Sequence, residues 1–138
     1  MSATPLEVLD LLIKATLDNS AEFGELYAED AVYELPFAPP GVPARIVGGD
    51  RIREFLKASA GASPIRFTGL ESSTTHETTD AEVVISEYSL NAEVVGADKR
   101  FVLPFVLVLR VRAGRIEHSR SYVNVAVVGE ALADLAGA

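Results

Sequence analysis

The chain contains no cysteine. That excludes disulfides, zinc–thiolate sites, iron–sulfur clusters and a thiol nucleophile. Only two histidines are present, and neither stands at metal-ligand spacing from a carboxylate, so no metal centre is expected. Basic residues are also scarce: 12 Lys and Arg stand against 20 Asp and Glu, a net charge of −8. A compact chain this acidic is repelled by phosphate backbones, so no nucleic-acid partner is expected. Anionic membrane surfaces are disfavoured for the same reason. No apolar run reaches the ~18 residues that would cross a bilayer. Residues 1–7 show no basic region followed by an apolar stretch, so a cytoplasmic protein without a signal peptide is expected. Gly48-Gly49-Asp50 follows a proline-rich loop, not a central strand, so it is read as a helix entry and not a phosphate loop. No cofactor is expected.

What is present is a core. Hydrophobic residues make up 49% of 138 positions. A single domain over 1–138 of this size buries about two thirds of its unfolded surface. Thr4-Pro5-Leu6-Glu7 is a capping box with proline at the first helical position. Leu6, Leu9, Ile13 and Leu17 follow at helical spacing. Asn19 with Glu22 signals a second, short helix with Phe23, Leu26 and Tyr27 on its apolar stripe. Residues 31–37 read as a strand and 38–49 as a loop. Asp50 is expected to cap a third helix, with Ile52, Phe55 and Leu56 inward and a stop at 61–64. Four strands follow, over 65–75, 81–95, 99–112 and 115–128, joined by hairpin-compatible turns. The tail 129–138 reads as a weak helix through Leu132 and Leu135. The order predicts an α+β fold with helices on one face of a mostly antiparallel sheet.

The third of those four strands is apolar on both faces. Phe101, Leu103, Phe105, Leu107 and Leu109 form one set, and Val102, Pro104, Val106 and Val108 the other. A strand buried on one face alternates with polar residues. This one predicts covering on both faces, by helices on one side and a second copy, or a local bend of the core, on the other.

Three stretches carry a family resemblance. They are Phe23-Gly24-Glu25-Leu26-Tyr27-Ala28-Glu29-Asp30-Ala31-Val32-Tyr33, then Gly48-Gly49-Asp50-Arg51-Ile52-Arg53-Glu54-Phe55-Leu56, and Gly114-Arg115-Ile116 through Arg120-Ser121-Tyr122. In this order they resemble the SnoaL-like branch of the nuclear transport factor two-like, or cystatin-like, fold. Polyketide cyclases, ketosteroid isomerases and limonene epoxide hydrolases share that fold. The resemblance implies a curved, mixed sheet wrapped around helices as a cone with a deep apolar pocket. It also implies a homodimer through the convex sheet face. By the same resemblance Tyr33, Leu35, Phe37, Tyr88, Leu90, Leu103, Phe105, Leu107, Ser119, Ser121 and Val123 point into the cone.

That mapping leaves the family's catalytic positions without catalytic residues. Ketosteroid isomerases use a carboxylate base and an oxyanion hole of Tyr and a protonated Asp. The resemblance puts the base at Leu35 and the oxyanion acid at Leu107. The epoxide hydrolase Asp-Arg-Asp set falls on Leu90, Tyr88 and Ser121, with its Asn on Leu35 and its Tyr kept as Tyr33. The cyclase acid or His falls on Ser119 and Ser121. Without a base in reach, those serines are poor nucleophiles. Tyr33 and Tyr88 remain as hydrogen-bond donors.

A single β-bulge would reverse the strand parity. Glu87, Ser89, Asn91, His118, Arg120, Tyr122 and Asn124 would then face inward, with Glu87 as base, His118 as shuttle and Arg120 as anion clamp. Three functions therefore stand open. The first is a small-molecule-binding protein for a terpenoid, steroid-like or polyketide-like ligand. The second is an isomerase, cyclase or epoxide hydrolase built on Glu87, His118 and Arg120. The third is a dimeric interaction module with no ligand.

Overall fold

A computed structural model describes residues 2–19 and 22–136, with 134–136 in backbone alone. Helix α1, Pro5–Leu17, starts where the capping box places it. Thr4 Oγ1 accepts from the Glu7 amide, and Glu7 accepts from the Thr4 amide in return. Its buried face is Val8, Leu9, Leu12 and Ile13. The expected stripe was rotated from this, and Leu6 is exposed in the first turn. The second helix is a single 3-10 segment, Glu22–Leu26. Tyr27 leaves it to open strand β1, Tyr27–Glu34, which starts and ends earlier than the expected 31–37. Part of the expected loop 38–49 forms a strand, β2, Arg45–Val47, which pairs antiparallel with β1.

Helix α2, Gly49–Ala62, is capped by Gly48 and not by Asp50. Gly48 has φ +105, a conformation that L side chains rarely adopt, so glycine suits this entry. Asp50 lies in the first turn, where the helix dipole favours an acid, and pairs with Arg53. Ile52 and Leu56 are buried.

Strands β3 (Ile65–Glu77), β4 (Val83–Val94), β5 (Arg100–Arg112) and β6 (Arg115–Val123) form a meander. The six strands make one sheet in the order β2-β1-β6-β5-β4-β3, antiparallel except for the β1–β6 pair. The β5–β6 turn has Ala113 at φ 52 and Gly114 at φ 76, the two positive φ angles of a type I′ hairpin.

β6 was expected to run to 128. It stops at Val123 because Asn124 turns the chain into helix α3, Val125–Ala136. Asn124 Oδ1 accepts from the Val127 amide at 3.2 Å, and the Val128 amide donates to the Asn124 carbonyl. This local cap outweighs the β propensity of the Val-rich run. Of the expected tail helix 129–138, residues 137 and 138 lie outside the described residues.

Alternation along β4 and β5 divides the sheet. Val84, Ser86, Tyr88, Leu90, Ala92 and Val94 are buried on β4, and Leu103, Leu107, Leu109 and Val111 on β5, facing the helices. The opposite face of β5 leaves Val102 and Val106 exposed, so the single chain covers one face of that strand only. No helix among the described residues is long and apolar enough to cross a membrane.

Candidate functional site

A cavity of about 400 Å³ lies between the inward sheet face and the helices. Strands β1, β4, β5 and β6 supply Tyr27, Tyr33, Tyr88, Phe105, Leu107, Ser119, Ser121 and Val123. Leu35 follows β1. Leu12 and Thr16 come from α1, Leu56, Ser59 and Ala60 from α2, and Phe23 from the 3-10 turn. Ile65, Arg66 and Phe67 of β3 complete one side with Asn19. Asn19 does not merely start a helix, as its cap signal suggested. Its side chain clasps β3: Oδ1 accepts from the Phe67 amide and Nδ2 donates to the Phe67 carbonyl, each at 2.7 Å.

The polar groups of the cavity are mostly hydroxyls. Tyr27 is 2% exposed, Ser119 is fully buried, and their hydroxyls hydrogen-bond at 2.9 Å. Among the described residues, the Tyr33 and Tyr88 hydroxyls have no hydrogen-bond partner, although both rings pack closely. Burial pushes the Tyr33 phenol up to about 12. Burial, and next the neighbouring Tyr33, raises the Tyr27 phenol above the ordinary range despite the Ser119 hydrogen bond, which acts the other way. Tyr88 is raised by the same two causes. All three therefore stay protonated donors near neutral pH. No Asp, Glu or His lines the cavity, and Arg66 is the one charged lining residue among those described. The Arg66 side chain is mostly exposed and lies 3.9 Å from Glu93.

Rings set the shape. Tyr88 stacks on Phe105, with centroids 4.9 Å apart and planes 7° from parallel. Phe67 meets Phe105 edge-on at 6.2 Å. Tyr33 packs edge-on against Tyr27 at 6.0 Å and at a tilt of 53° against Phe55 of α2 at 5.8 Å.

Three residues expected in the pocket lie elsewhere. Phe37 stands beyond the end of β1, is 63% exposed, and packs its ring against Tyr122 on the other face. Leu90 and Leu103 point to the helix side, but neighbouring side chains bury them in the core short of the cavity.

The structure does not bring Glu87, His118 and Arg120 into the cavity. The β4–β5 register runs unbroken from Val83 to Glu93, so Glu87 takes the face opposite Tyr88. There it hydrogen-bonds His76 at 2.8 Å. His118 hydrogen-bonds Glu34 across the parallel β1–β6 pair. Arg120 is on the same outer face, as are Ser89, Asn91 and Tyr122. A bulge does exist in β6, between the Arg110 and Val111 registers. It sits ahead of Ser119, so Ile116 and Ser119, three residues apart, both turn inward and are fully buried. The residues after it keep the parity that puts serines inward.

Tyr27 is the cavity residue that the sequence pattern concealed. The helical spacing Phe23, Leu26, Tyr27 assigned it to a helix stripe. In the fold a register shift between Tyr27 and Val32 sets it beside Ile116 at the base of the cavity. The signal available was its same-parity spacing to Tyr33 through Ala31, which is also fully buried.

Comparison with known proteins agrees with this architecture. The Bacillus subtilis protein YesE, uncharacterized, is 33% identical over 107 residues, which cover 78% of this chain and 71% of YesE. A candidate isomerase from Bacillus subtilis superposes with a TM-score of 0.83 at 29% identity, covering 93% of this chain and 91% of that one. A candidate polyketide cyclase from Pseudomonas putida KT2440 shares the fold, with a TM-score of 0.74 at 17% identity over 94% and 98% of the two chains. A SnoaL-like domain matches residues 15–119, most of the helix-and-sheet unit described above, and the chain therefore belongs to the SnoaL-like family.

Proposed function

We propose that the protein binds a small, largely apolar molecule carrying an oxygen acceptor, with Tyr33 and Tyr88 donating to that oxygen. Terpenoid, steroid-like and polyketide-like ketones are of this class. One observation carries the reading. A mostly apolar cavity of about 400 Å³ is lined by two phenols whose hydroxyls have no partner among the described residues, and no carboxylate or imidazole is among its described lining residues. Ligand sites are generally of this size and composition, apolar with a few convergent polar groups. No buried side-chain polar atom lacks a hydrogen bond among the described residues, so these hydroxyls reach open cavity space, where a ligand oxygen can accept from them.

The same lining limits the chemistry. A protonated phenol can polarise a carbonyl, but no described lining residue is a carboxylate or imidazole that would remove a proton at neutral pH. The similarity to a candidate isomerase favours carbonyl polarisation as the step to look for. Any such activity should be flat between about pH 6 and 9, since the described lining residues include no carboxylate or imidazole and the phenols are raised above that window. The test is equilibrium binding of a panel of neutral cyclic ketones to the protein and to its Tyr33→Phe and Tyr88→Phe variants. Each variant should lose roughly fivefold to tenfold in affinity for the ketone and nothing for the matching hydrocarbon. Ketone affinity unchanged from the parent protein in both variants would refute the assignment. Glu87→Gln and His118→Asn should leave ketone binding unchanged.

The outer face supports a second part of the reading, a homodimer. Its centre is Val102, Pro104 and Val106 of β5, with Val102 and Val106 exposed as apolar surface. Sedimentation of the protein and of Val106→Asp tests it: a dimer that the variant splits is expected, and a monomeric parent protein rules it out.

A further inference from the structure

Three serines face the helices from the central strands, Ser86 on β4 and Ser119 and Ser121 on β6. Two of them are committed within the protein. Ser86 is fully buried and shares a hydrogen bond with Thr75 at 3.1 Å. Ser119 shares one with Tyr27 at 2.9 Å. Ser121 differs: it lines the cavity, is half-buried, and its hydroxyl has no partner among the described residues.

The sheet register places that hydroxyl between the two phenols. Ser121 stands opposite Leu107 of β5, and on the β1 side Leu35 follows the Glu34–Arg120 pair. It is a lone polar group in a row with two leucines. Tyr33 lies one row away, beside Ser119. Tyr88 lies one row away in the other direction, in register with Phe105 and, through it, Val123. Such rows are spaced about 7 Å along a strand. Most other polar groups of the lining are engaged. Asn19 Oδ1 accepts from the Phe67 amide, Ser63 Oγ from the Ile65 amide, and Thr16 Oγ1 donates to the Leu12 carbonyl. A serine hydroxyl carries one donor and two acceptor lone pairs, so Ser121 is equipped to accept from a ligand hydroxyl.

We propose that Ser121 selects for a hydroxyl on the ligand, which narrows the bound class to hydroxy-ketones. The proposal rests on the ligand-binding reading above: Tyr33 and Tyr88 hold the carbonyl oxygen, and Ser121 accepts from the hydroxyl. A site that pairs with a ligand hydroxyl discriminates against the analogue lacking it.

The probes are a cyclic hydrocarbon, its ketone, its alcohol, and the hydroxy-ketones with the hydroxyl on each successive ring carbon. The proteins are the parent, Ser121→Thr and Ser121→Val. Threonine and valine are alike in size and differ by the hydroxyl, so effects on folding and packing cancel between those two variants. Equilibrium binding gives the ratio of the ketone Kd to the hydroxy-ketone Kd. For at least one hydroxyl position that ratio should be about fivefold or more higher in the parent protein and in Ser121→Thr than in Ser121→Val, the loss of one hydrogen bond. Ratios within about twofold of one another in all three proteins, at every position, would overturn the proposal. No measurable binding of any hydroxylated probe to the parent protein would overturn it as well. The alcohol and the hydrocarbon give the same ratio without a carbonyl. If ketone and hydrocarbon bind alike but the alcohol ratio still drops in Ser121→Val, the ketone reading fails and the hydroxyl assignment stands. If Tyr33→Phe and Tyr88→Phe weaken ketone binding but Ser121→Val leaves every ratio unchanged, the ketone reading stands and this assignment fails.

Discussion

The Tyr27–Ser119 hydrogen bond gives the sharpest stability test of the cavity floor. Tyr27→Phe deletes one hydroxyl and leaves the fully buried Ser119 Oγ without the partner it has at 2.9 Å. The lost hydrogen bond contributes about 1 kcal/mol net, and an orphaned buried hydroxyl adds a desolvation cost of about 1 kcal/mol. Tyr27→Phe should therefore cost about 2 kcal/mol. Ser119→Ala leaves the Tyr27 hydroxyl orphaned at the same depth and should cost a similar amount, about 2 kcal/mol, plus little for its small volume. The double variant removes both groups and leaves no orphan. Its cost should be about 1 kcal/mol, not the sum of about 4, giving a coupling of about 3 kcal/mol. Urea unfolding of the four proteins, fitted with a common slope, measures all three differences. Each single change should lower Tm by roughly 7 °C. If the two single costs add within about 0.5 kcal/mol, the two hydroxyls do not depend on each other, and the argument for a pre-built floor fails.

Other consequences follow from the same geometry. A Cβ on Gly49 would lie 2.6 Å from the Ala28 carbonyl oxygen, a backbone atom, so Gly49→Ala should destabilise by about 1–3 kcal/mol in urea unfolding. Ala113 holds φ 52 in the β5–β6 turn, and Ala113→Gly should raise stability by about 0.5–1 kcal/mol, read as a higher Tm. The buried phenols make the fold sensitive to alkali. The Tyr33 phenol is raised in the folded state to about 12, so its contribution is complete below pH ~10 and is lost as pH rises towards 12. Stability should fall over that window, and Tyr33→Phe should shrink the fall. At the other end, Asp80 is held low by a backbone hydrogen bond with Glu82 and then by Arg110, and Glu82 by Arg112 and then Arg110. Their contribution is present above pH ~4.5 and lost as pH falls below ~4, so Glu82→Gln should flatten the acid limb of the stability curve.

Local chemistry wrote much of this fold into the sequence. The Thr4 capping box, the proline at the first helical position and the turn at Ala113-Gly114 need only neighbours a few residues away, and each appears where the residues place it. The strands of the meander are legible for the same reason, since alternation and hairpin turns are short-range signals. The inward parity of Tyr33, Tyr88, Leu107 and Ser121 needed more, because a strand's parity depends on every bulge before it. The register shift between Tyr27 and Val32, and the one ahead of Ser119, arise from pairing with β6 across about 90 residues of sequence. No local pattern contains them. Phe37 went astray because nothing local says that β1 ends at Glu34, while the pairing with β2 and β6 does.

The sequence by itself determined the α+β class, the element order, the absence of thiol chemistry and the acidic surface, because these depend on composition and on spacing along one segment. Tertiary structure alone decided which side chains meet. It put Tyr27 on Ser119, stacked Tyr88 on Phe105, and set Glu87 and His118 on the outer face with partners of their own. Those are contacts between strands distant in the chain, and their geometry is fixed only when the whole sheet closes on its helices.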